Sequence, residues 1–166
     1  MQPGHRFQPS ILREYDIRGT VGETLDPADA TALGHAFVTL ARQHCDKLHP
    51  RIAIGRDGRL SSPDLEAHLT AAIEAAGGIA VGIGCGPTPM LYFSTHVLGV
   101  DAGIMVTGSH NPPQQNGFKM TLGGAPVYGA AIQHLAALAR EPQPATGSGS
   151  RQSADVTGAY LDRLLA

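Results

Sequence analysis

Ala102-Gly103-Ile104-Met105-Val106 runs straight into Thr107-Gly108-Ser109-His110-Asn111-Pro112-Pro113-Gln114-Gln115-Asn116-Gly117-Phe118-Lys119. The first five residues form a short apolar run, the pattern of a strand buried on both faces. The residues that follow are turn formers. Gly108, Asn111, Pro112, Asn116 and Gly117 supply the backbone angles that a tight loop requires. The loop gathers a hydroxyl and an imidazole, and at its far end Lys119, one of only two lysines in the chain beside Lys47. A nucleophile at the carboxyl end of a buried strand is where open α/β sheets place their sites.

On either side, strand and helix signals alternate. Asp26-Pro27 reads as an N-cap with proline at the first helical position. Ala30, Leu33, Phe37, Leu40 and Ala41 then recur at helical spacing, predicting a helix that ends near Leu48. Arg51 to Gly55 is a short strand. Ser62-Pro63 caps a second helix with Leu65, Leu69, Ala72, Ile73 and Ala76 on its apolar face, stopped by Gly77-Gly78. Ile79 to Ile83 is a strand, and Thr88-Pro89 opens a helix running to Val97-Leu98. After the Ser109 loop, Gly117 to Leu122 forms a fourth strand, reached without a helix and so antiparallel to the third. Further helices are expected over 130–140 and 156–165, separated by a flexible stretch at 142–150. The fold class expected is α/β: three layers, α/β/α, around a four-stranded mixed sheet with its last strand antiparallel. Residues 1–141 would form the domain, with 142–166 a flexible stretch and a terminal helix.

A chain of 166 residues with 42% hydrophobic and 16% charged residues can bury one core. A net charge of −2 and a pI near 6.4 give no nucleic-acid footprint and no polybasic membrane patch. Met1 to Ser10 has no apolar segment of a leader, and no apolar run approaches bilayer length. The expected setting is cytoplasmic, with Cys45 and Cys85 reduced, the first near a helix end and the second at a strand end. No internal repeat occurs.

The loop resembles the active-site serine loop of the α-D-phosphohexomutases, the phosphomannomutase/phosphoglucomutase family. That family carries Thr-(Ala/Gly)-Ser-His-Asn-Pro followed by Asn-Gly-(Phe/Ile)-Lys. Three further stretches match in the family's order: Arg13 to Gly19 (REYDIRG), Gly55 to Arg59 (GRDGR) and Pro87-Thr88-Pro89. The resemblance covers the first of the family's four domains. It implies that Ser109 carries the transferred phosphate between hexose 1-phosphate and hexose 6-phosphate through a hexose 1,6-bisphosphate. It makes Lys119 a phosphate contact and acid/base partner, and it brings Arg18 and Tyr15 to the phosphoserine. It implies one Mg²⁺, to which Ser109 contributes a ligand through its phosphate. The Asp-x-Asp-x-Asp-Arg metal loop, the sugar-selecting loop and the terminal phosphate loop do not occur in these residues. The expected partners are therefore hexose phosphates and domains II–IV of the same polypeptide. The chain is expected to be an excised or truncated first domain without turnover of its own, and the hexose is left open.

Serine suits this chemistry because its phosphoester persists in water yet transfers in an electrostatically prepared site. A serine hydrolase would show a Gly-x-Ser-x-Gly elbow, and Gly108-Ser109-His110-Asn111 is not one. His110 reads equally as a proton donor or acceptor near neutral pH and as a hydrogen-bonded loop residue. Arg56, Asp57 and Arg59 read as an internal ion-pair cluster at a strand end, and Asn111 and Asn116 as residues that shape the loop. The alternative to an enzyme is a non-catalytic domain that binds phosphate or a partner.

Overall fold

The computed structural model describes residues 3–142, 144 and 147–166. After a short 3-10 turn at Pro9–Ile11, the order is β1 (Ile17–Thr20), α1 (Pro27–Cys45), β2 (Arg51–Arg56), α2 (Ser62–Ala75), β3 (Ile79–Cys85), α3 (Thr88–Val97), β4 (Ala102–Val106) and β5 (Gln115–Leu122). Then come β6 (Ala125–Pro126), α4 (Ala130–Arg140), β7 (Ser150–Ser153) and α5 (Thr157–Leu165).

The strands form one mixed sheet in the order β1-β5-β4-β2-β3-β7, with β6 paired to β5. Neighbours β4, β2, β3 and β7 are parallel, while β5 runs antiparallel to β4, β1 and β6. The three-layer mixed architecture stands as expected from the sequence, including the antiparallel turn-back after β4. The strand count does not. Among the described residues there are seven strands rather than four. β1 has only Ile17 as a large apolar residue, β6 has two residues, and β7 (Ser-Arg-Gln-Ser) is exposed at all four positions. None of them carries the hydrophobic alternation that marks a strand. The stretch read as flexible at 142–150 includes residues 143, 145 and 146, which lie outside the described residues; its last residue, Ser150, opens β7 beside Ile79.

Alternation along each strand sends side chains to two separate cores. Ile52, Ile54, Ile104, Val106, Phe118 and Met120 pack with α1, α2 and α4 on one face. Ala53, Ile83 and Met105 pack with Met90 and Leu91 of α3 and with Val156 and Tyr160, next to and within α5, on the other. Phe37 and Phe118 are fully buried in the larger core; each contributes about 2–3 kcal/mol by leaving water.

Helix α1 begins as its sequence requires. The Asp26 carboxylate accepts from the Ala28 and Asp29 amides, and Asp29 returns a bond to the Asp26 amide. It ends three residues earlier than its apolar pattern suggests, because Asp46 adopts a left-handed conformation (φ 53°) that closes the last turn. Helix α2 starts at the expected place, but Ser62 does not cap it. The N-cap position is Ser61, and the Ser62 hydroxyl instead donates to Asp57 and accepts from Asn116. Lys47 pairs with Asp101 where β2 and β4 begin, at the end of these strands opposite Ser109. No helix among the described residues is long and apolar enough to cross a membrane.

Candidate active site

The chain leaves β2 to one side to make β3 and returns across it to make β4. Loops at the carboxyl ends of β2 and β4 therefore start side by side, at Arg56 and Val106, which are paired residues. Such a reversal of strand order opens a crevice. The Ser109 loop fills it, at the edge of the sheet expected from the sequence.

Asp57, just after β2, organises that loop. Its Oδ2 accepts from the Thr107 hydroxyl (2.9 Å), the Gly108 amide (3.1 Å) and Arg59 Nε (3.2 Å). Its Oδ1 accepts from the Ser62 hydroxyl (2.6 Å) and the Arg59 amide (3.1 Å). The Arg59 guanidinium then donates to four carbonyls of the loop: Ser109 (3.0 Å), Asn111 (2.7 Å), Pro112 (2.6 Å) and Gln115 (3.0 Å). Five forked donors on a flat, permanently charged group suit this task. A side chain at position 108 would collide with that guanidinium, 2.4 Å from a Cβ placed there, so Gly108 is required by close approach. Asn116, fully buried, donates to the Ser61 and Ser62 hydroxyls at 2.8 and 2.9 Å and closes the base of the loop.

These bonds hold Ser109 in an unusual backbone state. With φ 53° it is one of two non-glycine residues in the left-handed region among those described. That conformation costs roughly 1–2 kcal/mol for a residue with a Cβ. Its amide donates to Thr107 Oγ1 (2.9 Å), and its carbonyl is held by Arg59. The hydroxyl is left at the surface, 3.4 Å from His110 Nδ1.

Arg18 of β1 lies opposite Gly117, and Lys119 lies opposite Met105, so both side chains emerge on the α3 face of the sheet. Helix α3 packs over β2 and β4; Arg18 and Lys119 occupy the adjoining stretch beyond it. Arg18 Nη1 donates to Asn111 Oδ1 of the loop (2.6 Å) and Nη2 to Asp16 Oδ2 (2.5 Å). Lys119 Nζ reaches the same Asp16 oxygen at 3.1 Å. The structure thus brings Ser109, His110, Lys119, Arg18 and Tyr15 together around one concavity, which Arg13, Asp16 and Asn111 also line. Tyr15 is largely exposed and sits 6.2 Å from the Tyr128 ring. Three cations, Arg13, Arg18 and Lys119, face a single carboxylate, Asp16, in a chain whose overall charge is −2. An anionic ligand suits this surplus.

Asp16 and the bracing role of Arg59 were not legible in the sequence, though both residues stand in matched motifs. The ion-pair cluster expected of Arg56, Asp57 and Arg59 is realised for the last two, while Arg56 pairs with Glu66 at 3.1 Å. No group of three or more His, Cys, Asp or Glu side chains that could hold a metal occurs among the described residues. The cations beside Ser109 are also ill suited to a divalent ion. A Mg²⁺ site does not fit this chain by itself.

Burial alone would raise the pKa of Asp57, but hydrogen bonds from Ser62, the Arg59 amide, Thr107 and Gly108 outweigh it and hold the carboxyl below its usual value. A depressed folded value stabilises the protein above the unfolded aspartate range, about pH 3.9, and the gain is lost as pH falls through the folded value. The urea midpoint should therefore fall steeply in acid. Asp57→Asn should lower the midpoint at neutral pH and flatten its acid limb. Parallel curves for the two proteins would show that Asp57 contributes nothing to acid sensitivity.

The geometry defines a three-layer α/β/α domain with a serine held rigidly at the carboxyl edge of its sheet, facing a cationic concavity. Residues 9–145 match the family model described as phosphoglucomutase/phosphomannomutase, alpha/beta/alpha domain I. The chain belongs to the phosphoglucomutase/phosphomannomutase family and corresponds to that domain. It is 43% identical over 157 residues to a phosphoglucomutase of Neisseria gonorrhoeae, covering 93% of this chain and 34% of the relative. It is 38% identical over 155 residues to a phosphomannomutase/phosphoglucomutase of Pseudomonas aeruginosa, with 93% and 33% covered. An X-ray structure of a phosphoglucomutase/phosphomannomutase family protein from Burkholderia thailandensis superposes with a TM-score of 0.84 at 41% identity, over 96% of this chain and 36% of that one. The chain thus spans about a third of the length of the relatives it matches.

Proposed function

We propose that this domain carries the phosphoryl group of a phosphohexomutase on Ser109. The observation that supports it most is the fixed left-handed Ser109, its hydroxyl exposed at the rim of a concavity with a surplus of positive charge. In the forward half-reaction the bond from phosphorus to Ser109 Oγ breaks as a sugar hydroxyl oxygen forms a new one. The hydroxyl proton passes to the neighbouring base His110, and the serine oxygen regains a proton. The product is a hexose 1,6-bisphosphate. After the sugar turns over, its other phosphate returns to Ser109 and leaves the isomeric monophosphate. Arg18 and Lys119 neutralise charge on the equatorial phosphoryl oxygens, the main electrostatic task in such a transfer.

One wall of the concavity is all that this chain builds. Turnover needs the sugar to be enclosed and oriented, so the reading calls for further domains, in keeping with relatives about three times as long as this chain. Ser109 would contribute to a Mg²⁺ only through its phosphate, the remaining ligands coming from outside these residues, and no step here passes through the metal. The setting is cytoplasmic.

The test is peptide mass mapping of the polypeptide as its gene encodes it, after exposure to hexose 1,6-bisphosphate. One phosphoryl group on Ser109 is expected, with negligible conversion of hexose 1-phosphate to 6-phosphate by residues 1–166 alone. An unmodified Ser109 would refute the phosphoryl-carrier reading, and robust turnover by residues 1–166 would refute the need for further domains.

A further inference from the structure

The geometry points to Asp16 as a positioning residue: a resident counter-anion that holds Arg18 and Lys119 while Ser109 carries no phosphate, and competes for them when a phosphate arrives. This rests on the phosphohexomutase reading and assigns a task to a residue that phosphoryl transfer itself does not use. Asp16 is 7% exposed. Its Oδ2 accepts from both Arg18 Nη2 (2.5 Å) and Lys119 Nζ (3.1 Å), so one oxygen ties β1 to β5. Through the other arm of Arg18, which donates to Asn111, the same carboxylate is linked to the Ser109 loop.

One carboxylate does not neutralise two cations. With Arg13 at the rim, the concavity holds three positive groups against Asp16, a surplus of two, which is the charge of one phosphate dianion. Arg18 also keeps a donor in reserve: its Nε is buried and has no partner. Without Asp16 the surplus becomes three. A dianion then meets a stronger attraction and has no carboxylate to displace. Ground-state binding tightens, while the two cations lose the contact that fixes them for transfer. Tighter binding of that kind does not accelerate the chemical step.

The experiment is calorimetric titration of inorganic phosphate, at one fixed salt concentration, into the protein and its Asp16→Asn and Asp16→Glu variants. Asparagine has the same shape and keeps an acceptor for Arg18. Phosphate should bind about tenfold tighter to Asp16→Asn, the scale of removing one like charge several ångströms from a dianion at a protein surface. Asp16→Glu, which restores the charge, should reverse most of that gain. In the full-length enzyme Asp16→Asn should lower KM and kcat together. A residue needed only for packing would be disturbed more by the longer glutamate and would raise KM. If Asp16→Asn fails to fold, Asp16→Ser carries the same expectation with a smaller neutral acceptor. Phosphate binding by the neutral variant that is equal to or weaker than the parent's overturns the counter-anion role, and leaves the mutase reading standing where the parent still acquires phosphate on Ser109. A parent that neither binds phosphate nor is phosphorylated on Ser109 overturns both.

Discussion

On the proposed phosphoserine reading, Ser109→Ala should abolish mutase turnover in the polypeptide as its gene encodes it while leaving the fold intact. The substitution removes the oxygen proposed to carry the phosphoryl group, so the proposed two-step relay has no covalent route. Little is lost in stability. The hydroxyl makes one long contact, 3.4 Å to His110, worth at most about 1 kcal/mol, and alanine is strained in the left-handed region as serine is. Ser109→Gly sharpens the contrast. Glycine adopts φ 53° without penalty, so this variant should gain up to about 1 kcal/mol, read as a higher urea midpoint, and still be inactive. Lys119→Ala and Arg18→Ala keep a phosphorylatable serine but remove charge compensation, and should slow transfer by about 10²-fold. Steady-state assays from hexose monophosphate give the ordering. Full activity in Ser109→Ala would end the phosphoserine reading whatever the fold.

The parts legible in the sequence were those governed by local physics. Burial on both faces makes β4 a continuous apolar run, and the Asp26-Pro27 signal marks the start of α1 because its capping bonds span only three residues. The Ser109 loop follows from its turn formers and from its position after β4. What escaped were features decided at long range. β7 exists because it completes an edge beside β3, and nothing in Ser-Arg-Gln-Ser anticipates that. Ser62, read as the cap of α2, lies one residue inside the helix, and its hydroxyl donates to a carboxylate five residues away. Asp16 meets Lys119 across 103 positions of sequence, and Arg59 meets Ser109 across 50. No periodicity encodes such pairs. Only the juxtaposition of β2 with β4, and of β1 with β5, brings them together.

Arg59 carries the second large effect, at a position that the proposed chemistry does not touch. Arg59→Ala should cut phosphoryl transfer by at least about 10²-fold, the loss expected from misplacing a nucleophile by about 1 Å. The cause is conformational. Four carbonyls of the loop converge on one guanidinium, and Ser109 holds its strained backbone angle partly through that bond. Removing the guanidinium leaves Asp57 without its charge partner and opens a void against Gly108. Global stability should fall by about 2–3 kcal/mol, the scale of losing charge-assisted hydrogen bonds. Hydrogen exchange separates this from a general loss of structure: amides 108–115 should lose protection while β2 and β4 keep theirs, since both strands are fully paired within the sheet. Arg59→Lys should not rescue, because one ammonium on a flexible stem cannot serve four acceptors in a plane. Unchanged protection of the loop together with unchanged transfer in Arg59→Ala would show that the loop holds Ser109 without this brace. The strain at Ser109 would then have to be balanced by the Thr107 and Asp57 contacts alone.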